Sequence, residues 1–490
     1  MTEASAWTYP SLDPHMSTMA GNMSGFDAIY DSLLRLQLVD AKTWEHEVVG
    51  ELAESWEQPD PQTVVFNLKK GVRFHDGSEF TAEVAAWNLL RARDHPKAYL
   101  KAQMEIIESA EAPDPATLRL KLKRPNVGFL RSLAYTGQGV PMISKAALEK
   151  LGEEEFARNP VGTGPFKFKQ WITDDRLITE RNPDYWQNGE DGKSLPYLDG
   201  FVSRYIPDAT VALVDMRAGT IHVLERLLAK DVASVRQDPD LVAYDQPWAG
   251  EVFFFGGFNV TKPPFDDVRV RQAALYGIDR KAMSDALGFG VGEPYYYGEW
   301  GRGSLGYDES ILKYEYDPAK VKDLLAQAGY PDGIEIELKV IAREPEATIG
   351  AFAQQMWTAV GIKTRLVAME RLSWIDDVRA MNFDTCFWRG GFVYTSVDPE
   401  TIKLRISCGS AGNWAQWCDE EVDKLMDQGA ATLAPEERHR VYRQVLNIMQ
   451  ERAYLYSGFA MPRVTAYRKE VQGLTFNLAL PSVRKAWLES

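Results

Sequence analysis

Cysteine and histidine are scarce in this chain of 490 residues, which has three of the first and six of the second. The histidines, His15, His46, His75, His95, His222 and His439, form no His-Glu-x-x-His pattern and no Cys/His array, so no metal and no cofactor is expected. A Gly-x-Ser-x-Gly elbow is also missing, which removes one large class of hydrolases. No stretch approaches the ~18 consecutive apolar residues that a membrane-spanning helix requires. Basic runs longer than a few residues are absent and the formal net charge is −15. Nucleic acid and anionic membrane surfaces are therefore poor partners. The first residues, Met1 to Ala6, lack a basic segment followed by an apolar one. That leaves either a cytoplasmic protein or an exported one whose signal is not in the numbered chain.

What is present is ordinary globular material. Hydrophobic residues make up 45% and charged residues 26% of the chain, and mean hydropathy is −0.31. Such a composition can bury a sizeable core, and the length predicts two or three lobes. Short strand pairs alternate with amphipathic helices. Val64, Phe66 and Leu68 fall on one face of a strand, as do Leu118, Leu120 and Leu122 of another. Asp76-Gly77 marks a turn between them. Thr81 is placed to cap a helix that buries Val84, Trp87 and Leu90 and stops near His95-Pro96. Asp317-Pro318 opens a helix ended by Gly329. Pro435 opens another, with Val441, Val445, Ile448 and Met449 on one face. The loop Asn159-Pro160-Val161-Gly162-Thr163-Gly164-Pro165 is no phosphate loop, because it lacks the Gly-Lys-Ser/Thr ending and its prolines remove donors. The acidic pairs Asp174-Asp175, Asp266-Asp267 and Asp376-Asp377 read as solvated, since neighbouring side chains diverge on a strand or helix.

Cys408 and Cys418 share one short segment. A disulfide there closes a loop of about ten residues, worth roughly 2.5–3 kcal/mol in the chain-entropy model, and implies an oxidising compartment. Two unpaired thiols are the alternative; zinc is the weaker one, with no second ligand pair nearby. Cys386 is left as a free, buried thiol.

Several segments, taken together and in order, resemble the peptide/nickel family of ABC-importer solute-binding proteins, the dipeptide- and oligopeptide-binding type. They are Ser11-Leu12-Asp13-Pro14-His15, Leu52-Ala53-Glu54-Ser55-Trp56, Phe66 to Gly77, Asn159 to Phe166, Arg181-Asn182-Pro183-Asp184-Tyr185-Trp186, Pro196-Tyr197-Leu198-Asp199-Gly200, Phe258 to Ala273 and Leu324 to Tyr330. Singly each is weak, but they follow the family order over nearly the whole chain. The cysteine pair, with Asn413, Trp414 and Trp417, also resembles the family's disulfide loop.

The resemblance implies an α/β fold of two-lobe clamshell type with an additional inserted domain. Lobe I would comprise 1–45, 160–250 and 465–490, the inserted domain 46–159, and lobe III 251–464. A solute would be enclosed between lobes that close about hinge strands. The family's opening strand, which lies just before Ser11-Leu12-Asp13-Pro14, is expected to be partly absent or altered here. The resemblance further implies an exported, periplasmic or extracytoplasmic monomer that works with membrane permease subunits and catalyses nothing. A sensory binding protein, or a periplasmic enzyme or chaperone on the same scaffold, is the alternative. A neighbouring permease and ATPase operon would separate the first, and a turnover assay the second.

By the same resemblance the ligand pocket draws on the segment Thr385 to Pro399, after a helix expected over Ser373–Ala380. Peptide-binding relatives place an Asp shortly after the Trp, to pair with the peptide ammonium. Here Gly391 takes that position, Arg389 stands two residues earlier, and Asp398 comes later. Relatives also place an Arg near the start of the helix before Gly361 to hold the peptide carboxylate. In this chain Ala347 and Thr348 stand there, with Arg343 slightly upstream. The expected ligand contacts are Asn22, Trp248, Trp388, Arg389, Gly391, Tyr394 and Asp398. The reading that follows is a solute with a carboxylate or other acceptor facing Arg389, between aromatic walls, while a short peptide stays the largest single option despite the displaced anchors. Oligopeptide, opine-like, oligosaccharide and aromatic-acid solutes are all candidates. In the bland reading Trp388 is core packing and Arg389 a structural ion pair.

Overall fold

A computed structural model describes residues 1–17, 23–40, 45–134, 139–298, 300–301, 304–388, 398–410, 412–477 and 480–489. The chain forms two compact units. Unit 1 is Met1–Gln246 with Val464–Ser490, and unit 2 is Pro247–Arg463. The chain passes from one to the other within two strands, Leu241–Phe253 and Phe459–Arg468.

In unit 1 the main sheet places the strands Thr2–Ser5, Gly200–Tyr205 and Val223–Leu224 side by side and parallel. Arg176–Arg181 and Phe166–Ile172 extend it in antiparallel fashion. A short strand, Thr2–Ser5, does stand before Ser11-Leu12-Asp13-Pro14, where the opening strand was expected to be partly absent or altered. Its four residues, of which Glu3, Ala4 and Ser5 are buried, carry no alternation that would announce a strand.

A second sheet of unit 1 runs in the order Ala53–Asp60, Thr63–Leu68, Thr117–Leu122, Ile107–Asp114. Val64, Phe66, Leu118, Leu120 and Leu122 are fully buried on it, as their alternation predicts. The helix Ala82–Asp94 covers this sheet, capped by the Thr81 hydroxyl, which accepts from the Val84 amide. Its buried face is Ala82, Ala85, Ala86 and Leu89, while the expected Val84, Trp87 and Leu90 are only half-buried. Alanines let the helix axis approach the sheet, and the bulkier side chains then lie at its flanks.

Unit 2 is built on a five-stranded sheet in the order Ile362–Met369, Ile334–Ile341, Thr385–Trp388, Phe255–Phe258, Leu455–Tyr456. The first three strands are parallel to one another, and Phe255–Phe258 runs antiparallel to its neighbours. Phe254 has φ 55, a left-handed value that strains a non-glycine residue. Its ring is fully buried against Trp357, Phe387 and Tyr456, and that packing holds the strained turn. The helix Pro318–Gln327 begins at the Asp317 cap and is followed by Gly329 at φ 94. The helix Pro435–Arg452 buries Val441, Tyr442, Val445 and Leu446, with Ile448 and Met449 half-buried. The face is turned from the expected one because Tyr442 fills the space over Gly429 of the helix Glu420–Ala431, where a Cβ would stand 2.4 Å from its ring.

Candidate functional site

The three parallel strands of unit 2 end level with one another. Ile341 pairs with Met369, and the register Lys339↔Cys386 brings Trp388 alongside. In open α/β sheets, ligands bind outside this carboxyl edge. Each strand there runs into a different element. Ile341 leads through Arg343 to the helix Glu346–Ala359, and Met369 leads through the capping Glu370 to the helix Arg371–Arg379. That second helix begins two residues before the expected Ser373 because the Glu370 carboxylate, capping at the Leu372 amide, adds a turn. Trp388 leads into 389–397.

Asn22, Arg389, Gly391 and Tyr394 lie outside the described residues, as do the side chains of Trp248 and Trp388. Asp398 is described, and it is 2% exposed. Its carboxylate accepts from Arg438 Nη2 at 2.8 Å and from the Glu400 amide at 3.2 Å. Arg438 is fixed in turn, donating from Nε to the Gly429 carbonyl at 2.9 Å and lying over the Tyr442 ring. Asp398 thus ties the far end of the 389–397 segment to the helix Pro435–Arg452. Arg343 likewise donates to Glu346 Oε1, from Nε at 2.8 Å and from Nη2 at 2.5 Å. Glu346 itself is buried at 1% exposure.

Unit 2 also holds an apolar pocket of about 30 Å³, bordered by Phe255, Tyr296, Trp300, Ile402, Ile406 and Met449 among others. Phe255 is the strand partner of Trp388.

Cys408 and Cys418 are joined by a disulfide. The side-chain amide of Asn413 donates across this loop to the Ser407 and Trp417 carbonyls, and the Trp417 ring stacks on Tyr454 at 4.3 Å. Cys386 is free and buried, and burial pushes its thiol pKa up, so it is an inert core residue.

The histidines of the recognised motifs are structural. His15 accepts at Nδ1 from Arg91 and therefore donates from Nε2 to the Pro141 carbonyl, each at 2.9 Å. His75 donates from Nε2 to the Gly164 carbonyl at 2.9 Å and accepts from the Gly162 amide at 3.4 Å. Burial pulls both down to about 4. The same loop shows why Gly162 and Gly164 are glycines: a Cβ on either would collide with the Ile29 backbone. Among the described residues no cluster of His, Cys, Asp and Glu could hold a metal ion, and no helix is long and apolar enough to cross a membrane.

The sequence model for bacterial extracellular solute-binding proteins, family 5, matches residues 47–410. The heme-binding protein A of Haemophilus influenzae is 31% identical over 478 residues, covering 88% of this chain and 83% of the relative. The dipeptide-binding protein of Escherichia coli is 28% identical over 477 residues, covering 89% and 85%. The structure of HbpA2 from Haemophilus parasuis superimposes with a TM-score of 0.88 at 25% identity, covering both chains completely. The fold and these likenesses define an α/β solute-binding protein of the kind that serves ABC importers. The chain belongs to family 5 of the bacterial extracellular solute-binding proteins. Members of this family bind small ligands and work with ABC permease components.

Proposed function

We propose that this protein captures a small organic solute outside the cytoplasm and delivers it to a membrane permease, as a monomer, without catalysing a reaction and without a nucleic-acid partner. In this reading unit 1 comprises lobe I (1–45, 160–250 and 465–490) and an inserted domain (46–159), and lobe III is 251–464. The separate four-stranded sheet within 53–122 supports that division.

The observation that carries the ligand reading is the internal pairing of the two ionisable side chains best placed to anchor a short peptide. Asp398 is held by Arg438 and Arg343 by Glu346. A zwitterion is best gripped by a carboxylate and a guanidinium that are available for charge-assisted bonds. The favoured solute is therefore one whose carboxylate or other acceptor faces Arg389, with Trp248, Trp388 and Tyr394 as aromatic walls and Asn22 and Gly391 as further contacts. Asp398 then acts from behind, anchoring the segment that carries Arg389. Opine-like conjugates, aromatic acids, oligosaccharides and longer peptides satisfy this description; a free dipeptide satisfies it least.

A thermal-shift screen over those classes identifies the solute, since a ligand at a hundredfold excess over Kd stabilises by about 2.7 kcal/mol. Calorimetry on Arg389→Ala then tests the site. Loss of binding is expected, and unchanged affinity removes Arg389 from it.

A further inference from the structure

Beneath the main sheet of unit 1 lies a buried cluster of ionisable side chains that neither the fold class nor solute capture calls for. Asp27, Asp31, Arg35, Glu51 and Arg484 come from three stretches of chain, and all are largely buried. Arg35 donates to Asp27 at 2.8 Å and to Glu51 Oε1 at 2.5 Å. Arg484 donates to Asp27 from Nε at 3.1 Å, to Asp31, and to the Tyr30 carbonyl at 2.6 Å, and its Nη1 lies 3.3 Å from Glu51.

The charges do not cancel. Three carboxylates face two guanidiniums, so the fully ionised cluster would carry 2 − 3 = −1 in a water-poor site. A buried net charge is expensive, and a titratable group relieves it by keeping a proton. Among the described residues, the nearby groups do not supply the missing cation. Lys69 sits outside, over the Trp186 ring at 5.6 Å, and His75 is held neutral by burial.

The three carboxylates are unequal. Asp31 accepts from Thr163 Oγ1, Trp186 Nε1 and the Tyr185 hydroxyl besides Arg484. Asp27 accepts from the Ser482 hydroxyl as well as from both arginines. Donors of this number hold an aspartate ionised. Among the described residues Glu51 has, outside the guanidiniums, only the Ser32 amide, at 2.7 Å, and it also faces the negative charge of Asp31.

We propose that this cluster holds one exchangeable proton on Glu51, so that the attachment of the C-terminal segment around Arg484 to the rest of unit 1 weakens as the surroundings pass from acid to mildly alkaline. Burial, the largest influence, raises Glu51 to about 7, against the pull of Arg35 and Arg484, whereas Asp27 is lowered to about 2. A carboxyl whose pKa is raised on folding contributes most below its unfolded value of 4.5 and loses that contribution as pH rises through 7. His15 and His75 act in the opposite sense: their contribution is present above the unfolded value of 6.5 and is lost as pH falls through 4. The test must therefore be a difference between two proteins.

Urea unfolding of the full chain and of Glu51→Gln, followed from about pH 5 to about pH 8, provides it, because glutamine imitates the protonated form at every pH. The folding constant of the parent should fall relative to that of the variant by about tenfold or more across this range. A ratio constant within about twofold overturns the proposal. If Glu51→Gln does not fold, the infrared carboxylic-acid stretch of the parent decides: it should diminish between about pH 6 and pH 8, and no change there overturns the proposal equally.

Discussion

Unit 1 gathers its centre from segments far apart in the chain, so that Asp27, Thr163, Tyr185 and Arg484 meet around one set of buried ions. Unit 2 is a single run from Pro247 to Arg463, and its centre is Phe254 against Trp357, Phe387 and Tyr456. The difference has a physical logic. Hydrophobic burial is non-directional, and in unit 2 it gathers Phe254, Trp357, Phe387 and Tyr456 from distant positions of one continuous run without requiring directional bonds. Fixing distant segments in one register suits guanidinium groups, whose rigid set of donors admits few alternatives; Arg484 divides its own among Asp27, Asp31 and the Tyr30 carbonyl. The idea that buried ions secure specificity more than stability fits this contrast.

Arg484→Met breaks the comparison most severely. It leaves Asp27 and Asp31 short of a partner, and a loss of about 3–5 kcal/mol is expected in urea unfolding. A loss below about 1 kcal/mol would mean that apolar packing holds unit 1 as well. Reducing the disulfide of unit 2 should cost roughly 2.5–3 kcal/mol, measured by unfolding with and without reductant. Tyr456→Phe sharpens the contrast from the other side. It removes the hydroxyl that donates to the Cys386 carbonyl at 2.9 Å but keeps the ring. About 1 kcal/mol should be lost in the same assay. A much larger loss would place polar bonding, rather than rings, at the centre of unit 2.

Much of the framework was legible. The alternation of Val64, Phe66 and Leu68, the Thr81 and Asp317 caps and the Cys408–Cys418 pairing all depend on residues close in sequence. Helix faces were harder. In Ala82–Asp94 apolar periodicity pointed to the larger residues, yet the alanines face the sheet. The recognised motifs have a similar lesson. His15, His75, Gly162, Gly164, Tyr185 and Trp186 made the family recognisable, and every one of them is engaged in holding unit 1 together. Of the residues expected at the solute, Asp398 is the one whose side chain is described, and its partner Arg438 was invisible beforehand because forty residues separate them.

The scarcity of cysteine and histidine, the lack of an apolar span and the ordered motifs were enough to determine the class of protein, because composition and local pattern follow directly from residue identity. Which charges remain available to a solute and which are spent on the fold was decided only by tertiary structure. In sequence Asp398 is an expected contact and Arg343 stands slightly upstream of an expected anchor; only the fold brings Arg438 and Glu346 beside them as partners. Glu51 is likewise an ordinary glutamate until folding brings Arg484 and Asp31 to it from opposite ends of the chain. A charge has no fixed strength of its own; burial and neighbours set it, and both come from the fold.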